Sequence, residues 1–152
     1  MPYFADLRAT ARHGDRYRRA KAILIPAVIA SAVHGRTDLD AVETVARAAS
    51  DIPGLTGFDF ATLRGAVGAL TEELDADGGD TLLEMAEARL TGHAGVSAVL
   101  LATEVALARG TPQEETDRVL DPLTRRLGID GRRLHAIRLM AAQRLQRKET
   151  LH

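Results

Sequence analysis

The chain has 152 residues, of which 45% are hydrophobic and 27% charged, with a formal net charge of −1 and no cysteine. That length suits one domain able to bury a real core, and the lack of cysteine excludes disulfides, thiolate nucleophiles and Cys-ligated zinc. Only 3% of residues are aromatic, and Ala, Leu, Val and Arg dominate; a core of short aliphatic side chains suits closely packed helices better than sheet.

Nearly every segment fits a 3.6-residue period. Tyr3 to Arg12 reads as a short basic helix with no secretory signal ahead of it. A second helix runs from about Asp15 to His34 and stops at Gly35, a residue that accepts the left-handed conformation after a helix. Thr37 or Asp38 can cap the third, whose apolar stripe is Val42, Val45, Ala49 and Ile52. The sequence DIPGLTGFD breaks it. A fourth helix starts near Asp59 with the stripe Phe60, Leu63, Val67, Leu70 and Leu74. Gly65 and Gly68 lie inside it, each costing about 1 kcal/mol against alanine, so close approach of another helix is expected there. DADGGD, Asp75 to Asp80, is expected to be a turn, followed by a fifth helix to about Leu90. The sixth helix, near Ala94 to Arg109, shows Val96, Val99, Leu100, Thr103 and Leu107 as core and ends at Gly110. Thr111, Pro112 and Glu114 then predict a capped helix start, and Pro122 is expected to kink or divide the helix that follows. Gly128 and Asp130 precede a last helix carrying Leu134, Ile137, Ala141 and Leu145. The two longest apolar runs, Ala22–Val33 and Ala94–Ala108, are short of the roughly 20 residues of a membrane span. A soluble, cytoplasmic protein is expected.

One pattern occurs twice. An apolar helical run ends in a glycine and an acidic helix follows, first over Ala27–Ala49 and again over Ala102–Leu123. Superposing Gly35 on Gly110 aligns Ala27 with Ala102 and Asp40 with Glu115. The expected fold is therefore all-α, a single-domain helical bundle of seven or eight helices over residues 1–152. An internal helix-hairpin repeat would occupy about 15–52 and 94–127.

Charge is segregated along the chain. Residues 1–21 hold six basic and two acidic residues, and residues 122–152 hold eight basic and two acidic. The stretch between them holds six basic against seventeen acidic residues. Either the basic ends fold onto the acidic body and neutralise it, which their helical patterning favours, or they reach an anionic partner. The second option defines an alternative function, a basic-ended adaptor for nucleic acid or anionic membrane, although few aromatics and no DNA-reading motif accompany it.

The usual catalytic constellations are missing from the sequence. There is no G-x-S-x-G elbow, no phosphate loop and no G-x-G-x-x-G after a strand. The histidines at 13, 34, 93, 135 and 152 lack the i, i+4 spacing of a helical metal pair. Asp75-x-Asp77-Gly78 resembles the opening of a calcium loop, but Ala86 stands where the closing glutamate is needed. Asp38 and Asp40 in one repeat and Glu114 and Glu115 in the other occupy equivalent first-turn positions. Acids there gain roughly 0.3–1 kcal/mol from the helix dipole. If the two first turns meet, these carboxylates could converge on one hard cation.

Four stretches resemble the tellurite-resistance TerB family: RYRRAKAILIPAVIASAVHG, its basic segment leading into the first apolar helix; GFDFATL, the opening of a middle helix; LLATEVALARGTPQEETDRVL, the second apolar helix, glycine turn and acidic helix; and RRLGIDGRRL, the closing turn. Their order and the chain length extend the likeness over nearly the whole sequence. The resemblance implies a non-enzymatic cytoplasmic protein of tellurite or general stress response. It implies partners among other tellurite-resistance or stress proteins at the membrane face, and no cofactor beyond a weakly held divalent cation. Asp40, Glu115, Asp38 and Glu114 would be its metal residues. The family usually has Asp-Gly at both repeat turns, whereas His34 and Arg109 precede the glycines here. That change removes one carboxylate per repeat and weakens the case for a metal.

Overall fold

The computed structural model describes residues 2–32 and 38–150, with side chains from residue 14 onward. Those residues form seven helices and no strand: α1 (Pro2–Ser31), α2 (Leu39–Ala49), α3 (Phe60–Asp77), α4 (Gly79–Glu87), α5 (His93–Ala108), α6 (Gln113–Arg126) and α7 (Gly131–Thr150). The expected all-α bundle is what forms. None of these helices is long and apolar enough to cross a membrane.

Local chemistry accounts for most boundaries. Asp38 caps α2 by accepting from the Ala41 N–H at 2.8 Å, and Asp59 caps α3 by accepting from the Thr62 N–H at 2.7 Å. Hydrogen bonds from the Thr62 side chain and backbone hold the Asp59 carboxyl below the ordinary carboxylate range. Asp130 likewise accepts from the Arg133 N–H at the start of α7. Both α5 and α6 close in a Schellman turn. Gly110, at φ 70°, donates to Leu107 while Thr111 donates to Ala106. Gly128, at φ 67°, donates to Arg125 while Ile129 donates to Thr124. His34 and Gly35 lie outside the described residues.

Several expectations are corrected. The two N-terminal helices are one, because a single glycine at position 14 weakens a helix without ending it. Asp15, instead of opening a new helix, pairs with Arg18 on the outside of α1. The DADGGD turn shrinks to Gly78 alone, at φ 87°, since the acids before it continue α3. Thr111 does not cap α6. Its N–H is engaged in the Schellman turn, which places Pro112 at the cap position, and its buried hydroxyl bonds nothing among the described residues. Pro122 does not divide α6; Arg118, whose carbonyl loses its partner, is exposed to water.

The core lies around α1 and α5, the most extensively packed pair. Ala22 to Val28 is buried without interruption, as is Ser97 to Ala106. α2 and α3 pack on each other, α4 and α6 cover α1, and α7 lies along α5. Tyr17 meets Phe58 edge to face at 6.3 Å, and the Arg16 guanidinium covers the same ring. Phe60 and Leu107, expected in the core, are 41% and 44% exposed. They stand at helix ends, where α3 begins and α5 finishes.

The expected close approach at Gly65 and Gly68 does not occur, since a Cβ built at either meets nothing within 4 Å. It occurs at Gly95 instead, where a Cβ would lie 2.6 Å from Leu127 Cδ1. Gly65→Ala should therefore stabilise the protein by about 1 kcal/mol through helix propensity alone. Gly95→Ala should destabilise it by roughly 1–3 kcal/mol through overpacking. Urea denaturation of the two variants checks the opposite signs.

Candidate functional site

Two groups of charged side chains stand out, one foreseen in the sequence and one not. The foreseen group surrounds the start of α2. Arg109, at the end of α5, reaches Asp40 at 3.5 Å and Asp38 at 3.9 Å through Nη1. Its side chain is 16% exposed, and its Nε is buried with no hydrogen-bond partner among the described residues. The second apolar helix thus ends against the first turn of α2. Glu114 and Glu115 occupy the first turn of α6, Glu114 exposed and Glu115 half-buried. No set of three or more metal-binding side chains gathers among the described residues. Asp38 serves as the α2 cap, and the position next to both α2 acids is held by a guanidinium.

The second group sits in the middle of α5. Glu104 is 1% exposed and is the only charged residue within α5. Arg144 donates from Nε to Glu104 Oε1 at 3.1 Å, and Lys148 donates from Nζ to Oε2 at 3.0 Å. The spacing of four residues puts both cations on one face of α7. Arg144 also donates to Asp51 at 2.5 Å, and Lys148 lies 3.3 Å from the same carboxylate. Asp51 belongs to the turn after α2, so the network ties α7 to α5 and to the α2–α3 connection. Burial pushes the Asp51 carboxyl up, but the Lys148 and Arg144 charges, with their hydrogen bonds, outweigh it and leave the group below its ordinary value.

A cleft of about 970 Å³ opens beside this network, lined by Phe60, Ala108 and Leu145 together with Glu104, Lys148 and Arg47. Carboxylate and ammonium already satisfy each other at its inner wall, so it presents a neutralised polar floor under an apolar rim. Sequence reasoning passed over Glu104, Arg144, Lys148 and Asp51. The available signal was a lone acid inside an otherwise uncharged helix together with two cations four residues apart.

Basic side chains near both ends turn inward to the acidic body. Lys21 pairs with Glu73, Arg126 with Glu87 and Arg138 with Asp117. No family model, curated protein or solved structure matches this chain.

Breaking the α5–α7 network from its two sides should have unequal consequences. Arg144→Met leaves the fully buried Glu104 with Lys148 alone and should cost about 3 kcal/mol. Glu104→Gln leaves two partly solvated cations that retain Asp51 and should cost about 2 kcal/mol. Chemical denaturation of both variants checks the order. The depressed Asp51 pKa means that the folded state binds this proton more weakly than the unfolded state. Its stabilising contribution is therefore present above the ordinary value of 3.8 and is lost as pH falls through the lower folded value. Acid titration of wild type against Asp51→Asn should show the difference in stability between them narrowing below that value.

Proposed function

We propose that the chain is a non-enzymatic TerB-like binding protein, serving tellurite or general stress resistance through contacts with other proteins of that response at the membrane face, in the cytoplasm. The observation that carries this reading is the juxtaposition made by α1, α2 and α5. The two apolar helices of the duplicated pattern lie against each other, and Arg109, at the second turn, contacts the acids that open α2. A pair of related hairpins packed face to face would set the end of one apolar helix beside the start of the other hairpin's acidic helix in this way. The four ordered sequence stretches add to it.

On this reading Asp38 and Asp40, expected to join Glu114 and Glu115 in a cation site, are weakened for that role because Arg109 supplies positive charge beside them. A guanidinium adjacent to two carboxylates satisfies them electrostatically and repels an incoming divalent ion. Binding of protein partners, rather than of metal, then carries the function.

Two measurements test the proposal. Calorimetric titration with calcium, magnesium, manganese and zinc should give weak binding by wild type. Arg109→Asp, which restores the carboxylate usual in the family, should raise affinity about tenfold or more. Asp40→Asn with Glu115→Gln should remove that gain. Cells lacking the protein should be more sensitive to tellurite and be rescued by the intact gene. Unchanged sensitivity would overturn the stress reading, and tight metal binding by wild type would overturn the blocking role of Arg109.

A further inference from the structure

A cleft at the beginning of α5 is lined by cationic side chains and, among the described residues, by no acid. It has a volume of about 730 Å³ and lies between α1, the turn after α2, the end of α4 and the first turn of α5. Arg19, Arg89 and His93 line it, and among the described residues no carboxylate does. Arg19 and Arg89 form no ion pair among the described residues, whereas most of the cations nearer the chain's C-terminal end are neutralised by acids. Two guanidiniums on one cleft wall, with no paired acid among the described residues, place positive charge there.

The floor of the cleft adds uncapped donors. Gly92 precedes α5 at φ 56° and, having no side chain, provides no cap. The N–H groups of His93, Ala94 and Gly95 therefore have no acceptor among the described residues; the first backbone bond of this end is Val96 to Gly92. A sixteen-residue helix directs its positive end at that point. Ser97, one turn further on, is 5% exposed, lines the same cleft and makes no hydrogen bond to any described residue. Its hydroxyl is thus open to the cleft and available to a ligand there.

We propose that this cleft binds a phosphate group, held by Arg19 and Arg89, the open N–H groups of α5 and the Ser97 hydroxyl. These donors line one cleft that no described carboxylate lines, which suits an anion carrying several oxygens. The rest of the wall is mainly aliphatic, with Ile23, Pro53 and Ala88 beside the Thr91 hydroxyl. Its one aromatic ring among the described residues is the small His93 imidazole, with no Phe, Tyr or Trp platform for a nucleobase. The ligand is thus inorganic phosphate or an aliphatic phosphate ester, either free in solution or displayed as a phospholipid headgroup. This site is separate from the acids at the start of α2 and does not depend on the proposed stress role.

The test uses the full chain in a phosphate-free buffer. In one arm, inorganic phosphate is titrated while the amide resonances of Gly92 to Val96 are followed by NMR. In the other, sedimentation is measured with phosphatidylcholine vesicles with and without phosphatidic acid. Saturable shifts confined to the α5 start identify a soluble phosphate, and retention only by the phosphatidic-acid vesicles identifies the headgroup. In whichever arm responds, Arg19→Gln with Arg89→Gln should weaken binding by about tenfold or more, and Ser97→Ala by about fivefold. Arg118→Gln with Arg147→Gln, which removes the same charge from exposed positions elsewhere, should leave it unchanged. Silence in both arms overturns the proposal. So does a response that the charge-matched control loses equally, because binding would then reflect net charge alone. Unchanged thermal melting of the variants in the absence of phosphate separates lost binding from lost structure.

Discussion

The bundle is arranged around α5, whose stretch from Ser97 to Ala106 is buried without interruption yet carries a carboxylate, Glu104. α5 is covered by α1, α2, α6 and α7, and its long run of Val, Leu and Ala needs that cover. A carboxylate buried there needs counter-charge beside it, because desolvating a charge costs several kcal/mol. Arg144 and Lys148 supply that charge from α7. α7 makes its main contact with α5, and only Ile137 and Ala141 of its side chains are fully buried. The last helix is therefore held both by the Glu104 ion pairs and by packing of Leu134, Ile137 and Ala141 on the core.

The same logic explains the segregated charge. A basic tail on an acidic body is self-complementary once folded: Arg126, Arg138, Arg144 and Lys148 each find an acid far away in sequence. Exposed pairs of this sort contribute little stability individually, whereas the Glu104 pairs lie where water is excluded. Among the described residues Arg19 and Arg89 pair with no acid, and both border a cleft with open helix donors. At the start of α2 the opposite holds, since an arginine has already moved among the acids.

Much of the architecture was legible in the amino-acid sequence because its causes are local. Asp38, Asp59 and Asp130 cap helices through bonds to residues three positions away. Gly110 and Gly128 end helices because they accept φ angles that other residues resist. Apolar periodicity marked α2, α3, α5 and α7. Helical content and most boundaries need only this nearest-neighbour information, and the errors at Gly14, Asp75–Asp77 and Pro122 came from breakers too weak to overrule the helices around them.

What only the tertiary structure decided depends on residues distant in the chain. Whether a helical glycine admits a neighbour is a property of the neighbour: Leu127 meets Gly95, and nothing meets Gly65 or Gly68. Glu104 looked like a minor interruption of an apolar run until folding set Arg144 and Lys148, 40 and 44 residues later, against it. Asp38 and Asp40 read as helix-end acids or as half a cation site, and that Arg109 reaches them from another helix was not visible in their local sequence. Local backbone preference is encoded in adjacent residues, whereas burial, charge pairing and the convergence of donors in a cleft arise only when separate helices come into contact.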